Sequence, residues 1–157
     1  REEVPEVPTQ EIIDLHNDHF DELYESVVAF PFAKEFLLSL KEKGIKLAVN
    51  TNKMHLLSEW CVKHVGFGED MFDVIVSCDD VKNVKPDPEG IFLAMKQTGI
   101  TDKSEVIFFG DSVFDIKSAN NAGVKIAIMK SPVHALPEGT KADYFFDGFD
   151  EAMKVIK

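Results

Sequence analysis

Residues 106–123, VIFFGDSVFDIKSANNAG, decide the fold. Four apolar residues indicate a buried strand, and Gly110, Asp111 and Ser112 follow them at once. A second acid, Asp115, lies one helical turn after Asp111 and on the same face of the helix that this segment predicts. Either the two carboxylates hold a cation between them, or Asp111 or Ser112 caps the helix and Asp115 is only a first-turn acid. This segment alone leaves both interpretations open.

Short apolar runs alternate with helical stretches along the rest of the chain. The runs that predict strands are KLAVN (46–50), DVIVSC (73–78), VIFF (106–109), KIAIM (125–129) and an edge strand YFF (144–146). Helices are predicted at about 31–44, 53–65, 88–98, from the segment after VIFF to Gly123, and in the C-terminal tail. This alternation predicts an α/β fold, a Rossmann-like parallel sheet with helices on both faces.

Polar residues follow three successive predicted strands. Thr51 and Asn52 come after the first strand, Lys85 lies in the loop after the second, and Asp111 and Asp115 come after the third. Because the carboxyl ends of parallel strands open on one edge of a sheet, we expect these side chains to meet at that edge. Taken singly, Thr51 could be a helix cap and Lys85 a solvated surface lysine.

The expected combination of groups suits a phosphate and a metal. Two close carboxylates, Asp111 and Asp115, repel each other unless a cation lies between them, and hard oxygen ligands suit Mg²⁺. The Thr51 hydroxyl and the backbone N–H groups that follow it can bind a phosphoryl oxygen at a helix N-terminus. Lys85 supplies a positive charge that an anionic substrate needs.

Composition excludes several other classes of function. The formal net charge is -11 and the sole arginine is Arg1, so the basic stripe of a nucleic-acid binder is missing. No apolar run approaches the roughly 20 residues of a membrane span, and the first residues do not resemble a signal peptide. We therefore expect a cytoplasmic protein with neither nucleic-acid nor membrane partners. The two cysteines, Cys61 and Cys78, have no paired or metal-type spacing and are expected to be core thiols.

Three motifs together resemble the haloacid dehalogenase-like (HAD) hydrolase superfamily, and in particular its phosphoglycolate-phosphatase-like members. They are LAVNTNK (47–53), VKPDPEGIFLAMKQTGI (84–100) and FFGDSVFDIKSANNAGVKIAIM (108–129). The resemblance implies a HAD-like α/β core over residues 29–157. Residues 1–28, with a helix predicted at about 9–27, resemble the C-terminal part of the helical cap of that family.

The resemblance also implies a role for each of these polar residues. Thr51, Lys85 and Asp111 match catalytic positions, and Thr51, Asn52 and Lys85 match positions that bind the phosphoryl group of the substrate. Asp111 and Asp115 match the acids that hold Mg²⁺ directly or through water. The implied activity is Mg²⁺-dependent hydrolysis of a small phosphomonoester, similar to phosphoglycolate, through an aspartyl-phosphate. The GD-S-x-x-D form is similar to the phosphatases and unlike the metal-independent dehalogenases.

The first motif of the family is absent from the sequence. That motif, Asp-x-Asp-Gly-Thr, supplies the aspartate nucleophile and an acid/base at the end of the first strand. We therefore expect this chain to lack the central first strand, which a preceding segment or a second chain would complete, and to be inactive alone. Two alternatives stay open: a phosphosugar mutase of the same family, and a non-catalytic HAD-derived module that binds an anion or a partner.

Histidines provide two weaker candidates. His16 and His19, near Asp18 and Asp21, could form part of a zinc site or lie on a solvated helix face. His134 follows the strand KIAIM and could reach the edge of the site or belong to an ordinary loop.

Overall fold

The computed structural model describes residues 18–19, 24–131 and 135–156. The predicted cap helix at 9–27 therefore falls mostly outside the described residues, and so do His16 and His134. The division into a cap remnant at 1–28 and a core at 29–157 stays a prediction.

Strands and helices alternate through the described chain, as the sequence predicts. The strands are β1 (Ala48–Asn50), β2 (Val74–Val76), β3 (Ile107–Gly110), β4 (Lys125–Met129) and β5 (Tyr144–Phe146). The α-helices are α1 (Ala33–Glu42), α2 (His55–His64), α3 (Glu89–Thr98), α4 (Val113–Ala122) and α5 (Phe149–Val155), and short 3₁₀ turns span Cys78–Asp80 and Lys103–Glu105. None of the helices in this part of the chain combines the length and the apolarity needed to cross a bilayer.

Two helices begin later than their sequence signals predict. Helix α1 was expected to start at Pro31, but Phe32 has a left-handed backbone with φ of 61°, and the helix begins after it. The sequence predicts that helix α3 begins at about residue 88, whereas Pro88 occupies the cap position and the helix begins at Glu89. The capping bond still forms, because the Glu89 N–H donates to Asp87 Oδ1 at 2.9 Å.

All strand pairs are parallel, which confirms the predicted α/β class, but the sheet is in two parts. Strand β1 pairs with β2, and β3, β4 and β5 pair in that order. Paired residues include Val49 with Ile75, Phe109 with Ala127, and Ile128 with Phe145. No described strand joins β1 to β3, so each of these two strands has one edge without a ladder.

Burial reflects this break in the sheet. In β4, which has a neighbour on both sides, residues 126–129 are all buried. In β3, which has one neighbour, all four residues are only half-buried, and Ala48 of β1 is exposed. A strand with an open edge keeps unpaired backbone donors and acceptors accessible.

The core lies on both faces of β4. Ala127 and Met129 pack in a cluster with Phe36 of α1, whereas Ile126 and Ile128 pack in a second cluster on the other face. This division follows from the two-residue period of a strand, which directs successive side chains to opposite faces. Helices α1 and α5 contact each other on the first face, and α3 contacts α4 on the second. Helices therefore cover both faces, as predicted.

Candidate functional site

A cavity of about 570 Å³ opens at the carboxyl ends of β1 and β3. Its polar lining comes from three connections, those that follow β1, β2 and β3. The lining residues are Thr51, Asn52, Lys53, Lys85, Asp111, Ser112, Val113, Phe114, Asp115, Ala135 and Leu136. The structure thus brings together all five residues that the sequence predicted for one edge of the sheet. Their roles stay predictions, but their common location does not depend on those roles.

Lys85 and Asp115 form a buried ion pair in this cavity. Lys85 Nζ lies 2.7 Å from Asp115 Oδ1, and the two side chains are 16% and 6% exposed. Lys85 is therefore not the solvated surface lysine of the plainer interpretation. Burial raises the pKa of Asp115, but the hydrogen bonds from Lys85 and Ser112 and the positive charge of Lys85 outweigh it, so the pKa is lowered overall.

The second oxygen of Asp115 completes a helix cap. Asp115 Oδ2 accepts hydrogen bonds from the Ser112 hydroxyl at 2.6 Å, the Ser112 N–H at 3.0 Å and the Asp111 N–H at 3.2 Å. In return, the Asp115 N–H donates to Ser112 Oγ at 3.4 Å, which closes a capping box at the start of α4. Asp115 is therefore a first-turn capping acid and a charged group of the cavity at the same time.

Gly110 makes room for this carboxylate. A Cβ atom at residue 110 would lie 2.3 Å from Asp115 Cβ and 2.7 Å from Asp115 Oδ2. Real side chains do not approach so closely, so a larger residue would displace Asp115 from Lys85 and Ser112. The glycine at the end of β3 is thus required by close packing.

The side chain of Asn52 connects two of the strand-end loops. Asn52 Oδ1 accepts a hydrogen bond from the Lys85 N–H at 3.0 Å, and Asn52 Nδ2 donates to the Lys85 carbonyl at 3.1 Å. This pair of bonds fixes the backbone from which the Lys85 side chain extends. The sequence indicated Asn52 only as a neighbour of Thr51 in a phosphate site, and it gave no sign of this second contact.

Helix α4 holds the loop after Lys85 from the other side. The Ser118 hydroxyl donates to the Asp87 carbonyl at 3.0 Å, and Asn121 Nδ2 donates to the Pro86 carbonyl at 3.1 Å. Neither Ser118 nor Asn121 was predicted from the sequence. Ser118 and Asn121 are three residues apart, which is ordinary helical spacing. The only sequence signal for them is that they make one face of α4 polar, next to a buried strand.

The loop that carries Thr51 is held by its own backbone and by the 3₁₀ turn that follows β2. The Lys53 N–H donates to Thr51 Oγ1 at 3.2 Å, and the Cys78 N–H donates to the Lys53 carbonyl at 3.1 Å. Met54, not Thr51, occupies the cap position of α2, and the His55 N–H donates to Asp79 Oδ2 at 2.8 Å. Thr51 is thus not the cap of α2, and its hydroxyl proton can point to a ligand because its oxygen already accepts a bond.

The carboxylate oxygens in the cavity are the type of ligand that Mg²⁺ prefers, although the cavity offers only two carboxylates. Asp111 and Asp115 offer hard carboxylate oxygens to the same cavity. Asp115 already accepts bonds from Lys85 and from the start of α4, which leaves little of this carboxylate for a direct bond to a metal. The described residues contain no cluster of three His, Cys, Asp or Glu side chains for a metal. Mg²⁺ commonly keeps several waters and binds substrate phosphate, which would complete its shell.

The other predicted groups do not join this cavity. Cys61 and Cys78 are free thiols and are half-buried, and burial raises the pKa of Cys78. The suggested zinc pair includes His16, which lies outside the described residues.

Fold and cavity together define a class: a parallel α/β protein with a charged cavity at the carboxyl edge of its sheet. Within that class, the chain belongs to the haloacid dehalogenase-like hydrolase family, whose model matches residues 2–129. The family resemblance noted from the sequence is confirmed.

Curated relatives of the chain include several phosphatases. It is 42% identical over 114 residues to pyrophosphatase PpaX of Halalkalibacterium halodurans, and the match covers 73% of this chain and 49% of the relative. It is 36% identical over 121 residues to N-acetylmuramic acid 6-phosphate phosphatase of Pseudomonas aeruginosa, covering 77% of this chain and 51% of the relative. It is 30% identical over 135 residues to phosphoglycolate phosphatase of Pseudomonas fluorescens, and the match covers 85% of this chain and 49% of the relative. The chain therefore spans about half the length of these relatives.

Solved structures agree on the fold. A predicted phosphoglycolate phosphatase from Haemophilus somnus has a TM-score of 0.83 and 25% identity, and the match covers 97% of this chain and 69% of that one. CbbY from Rhodobacter sphaeroides, solved with phosphate, has a TM-score of 0.80 and 23% identity. The match covers 95% of this chain and 68% of that one. At that identity the likeness to CbbY concerns the fold alone.

Proposed function

We propose that the chain forms the core of a Mg²⁺-dependent phosphatase that acts on a small phosphorylated metabolite, with phosphoglycolate as one candidate substrate. The observation that carries this proposal is the convergence of Thr51, Lys85 and Asp111 on one cavity at the carboxyl edge of the sheet. Membership of the HAD-like hydrolase family and similarity to phosphatases support it.

The phosphoryl group would be bound by the loops after β1 and β2. The Thr51 hydroxyl and the Asn52 backbone N–H would donate to phosphoryl oxygens. Lys85 would neutralise their charge from a position where it is largely shielded from water, which strengthens the attraction. Because the Asn52 side chain is engaged by the Lys85 backbone, its contribution to binding would come from the main chain.

Asp111 would hold Mg²⁺ directly and Asp115 through water. When bound, Mg²⁺ would supply electrostatic stabilisation of the charge on the transferring phosphoryl group. The hydrogen bond from Lys85 Nζ to Asp115 Oδ1 would keep the ammonium group in the cavity, where it could meet the phosphoryl group. The implied route through an aspartyl-phosphate needs a carboxylate nucleophile, and no Asp-x-Asp-Gly-Thr motif occurs in these residues. We propose that turnover requires a segment that supplies this aspartate.

Binding of methylphosphonate, measured by isothermal titration calorimetry, tests the phosphoryl site without requiring turnover. We expect Mg²⁺ to strengthen binding, and Thr51→Val and Lys85→Met each to weaken it by about tenfold or more, since a hydrogen bond to a charged group is lost. Lys125→Met is a matched control, because Lys125 is exposed at the amino end of β4, the opposite edge of the sheet. Equal binding by Lys85→Met and Lys125→Met would reject the assignment of Lys85.

Phosphate release from phosphoglycolate tests the requirement for an additional segment. The 157-residue chain is expected to release none above background, whereas a form extended by the preceding residues of its reading frame, if they carry the aspartate motif, is expected to be active. Turnover by the 157 residues alone, lost in Lys85→Met, would reject the requirement and keep the phosphatase. Absence of any phosphonate binding would instead favour a non-catalytic module that binds a partner. The mutase alternative, the cytoplasmic location and the absence of nucleic-acid and membrane partners stay predictions.

A further inference from the structure

Lys53 is a second cation on the wall of the site cavity. Its side chain is exposed and lines the cavity, whereas that of Lys85 lies deeper. Among the residues that the structure describes, no carboxylate lies within ion-pair distance of Lys53 Nζ, whereas Lys85 is paired with Asp115. An exposed cation on a cavity wall that has no carboxylate partner among the described residues, in a chain with net charge -11, would attract anions to that place.

The position of Lys53 is fixed on two sides. Its backbone is held by the bond from its N–H to Thr51 Oγ1 and by the bond from the Cys78 N–H to its carbonyl. Its ammonium group lies 5.5 Å from the centroid of the Tyr24 ring, a cation–π contact. The Tyr24 ring in turn packs edge-on against Trp60, with centroids 6.0 Å apart. These contacts hold the ammonium group beside the cavity before any ligand binds, which reduces the entropy lost on binding.

The charges of the cavity leave Lys53 available for a second anionic group. In the proposed function Lys85, which is paired with Asp115, and a metal at Asp111 both serve the phosphoryl group. A phosphoryl group at Thr51 and Lys85 would therefore leave Lys53, two residues beyond Thr51, for another part of the same ligand. One ammonium group carries a single positive charge, which matches a carboxylate better than a second, doubly charged phosphoryl group.

We propose that Lys53 binds a carboxylate of the substrate, so that the site selects small phosphorylated carboxylic acids over neutral phosphomonoesters. This inference rests on the proposed function, because it requires a phosphoryl group at Thr51 and Lys85. Lys53 is then a specificity-determining residue that belongs to the α/β core and not to the predicted cap.

Two probes of nearly equal size test the inference. Phosphonoacetate carries a phosphonate and a carboxylate, and phosphonoacetamide replaces the carboxylate by a neutral amide. Titration calorimetry of the complete chain with each probe, in Mg²⁺, gives the ratio of the two dissociation constants. We expect the wild-type chain to prefer phosphonoacetate by roughly fivefold or more, because a charge-assisted contact is stronger than a neutral one. Lys53→Met and Lys53→Gln should bring the ratio close to one, Lys53→Arg should preserve the preference, and Lys125→Met should not change it.

Three other results would overturn the inference. A wild-type ratio near one would show that the site does not sense the carboxylate. A preference that persists in Lys53→Met and Lys53→Gln would come from chelation of Mg²⁺ by phosphonoacetate and not from the lysine. Failure of both probes to bind to any of these proteins would reject the phosphoryl site itself, and the proposed function with it. The first two results leave the proposed function standing.

Discussion

Lys85 Nζ and Asp115 Oδ1 are 2.7 Å apart in a cavity wall where both side chains are largely buried. The pair joins the loop after β2 to the first turn of α4, which are separated in sequence by 30 residues. A buried carboxylate is costly unless it is paired and hydrogen-bonded, and Asp115 meets this requirement with Lys85 on one oxygen and the start of α4 on the other. Loss of either partner would therefore leave an uncompensated buried charge, and the intact pair fixes one ammonium group and one carboxylate in the cavity wall.

Removal of Lys85 should destabilise the protein. Lys85→Met leaves the Asp115 carboxylate buried with only its Ser112 and backbone partners, and we expect the free energy of unfolding to fall by about 3 kcal/mol, the low end for one partner of a buried pair. Urea denaturation measures this loss. The double variant Lys85→Met/Asp115→Asn should be less destabilised than the sum of the single variants, since the uncompensated charge is gone. A Lys85→Met protein as stable as Lys125→Met would contradict this account.

The placement of the site could be predicted because it depends on a general property of parallel sheets. Thr51, Lys85 and Asp111 each follow a different strand, and the carboxyl ends of parallel strands share one edge whatever the details of packing. Apolar runs and helix signals were enough to locate those strands within a few residues. The family resemblance added chemical roles for these residues but was not needed to bring them together.

The connections within the site could not be predicted, because they join residues that are distant in the sequence. The bonds from the Asn52 side chain reach Lys85, 33 residues away, and the Ser118 hydroxyl reaches the carbonyl of Asp87, 31 residues away. No local pattern marks such pairs. The sequence also presented capping and charge binding by Asp115 as alternatives, whereas the two oxygens of one carboxylate perform one task each.

Substitution of Gly110 should disturb both stability and binding. In Gly110→Ala the new methyl group would overlap Asp115, so the carboxylate or the strand must move, and we expect a loss of about 1–3 kcal/mol in the free energy of unfolding. Methylphosphonate binding should weaken as well, because Lys85 loses its partner. Gly68→Ala is a suitable control, since its Cβ would meet only Asp70 Oδ1, at 3.0 Å. Equal urea midpoints for the two variants would show that the close approach at Gly110 carries no cost.

The stability of the sheet should depend on pH through Asp73. This carboxylate accepts hydrogen bonds from Lys46 Nζ at 2.8 Å and from the Leu47 N–H at 2.9 Å, and chiefly these bonds lower its pKa below the usual 3.8. A carboxyl group with a lower pKa in the folded state stabilises the protein above its unfolded pKa, and this contribution is lost as pH falls through the folded pKa.

Comparison with Asp73→Asn isolates this contribution. The wild-type chain should be more stable than the variant at about pH 6, and the difference should shrink toward about pH 3. Lys46→Met removes the first cause of the lowered pKa, so this variant should show a weaker dependence on pH than the wild type. Urea midpoints measured across this range check the expectation. Parallel curves for wild type and Asp73→Asn would mean that the pKa of Asp73 does not change on folding.

Asn52 should act on phosphate binding through the position of Lys85. Asn52→Ala removes both bonds to the Lys85 backbone, and Asn52→Asp keeps an acceptor for the Lys85 N–H but turns a second oxygen toward the Lys85 carbonyl. We expect each change to lower the free energy of unfolding by about 1 kcal/mol, the usual net value of such hydrogen bonds. Methylphosphonate affinity should fall in both variants, and more in Asn52→Asp because its added charge opposes the anion.

Asn121→Ala removes one bond from the same loop, to Pro86, and should have the smaller effect on affinity. If Asn52→Ala bound methylphosphonate as tightly as the wild type, the reciprocal bonds would stabilise the fold without orienting Lys85.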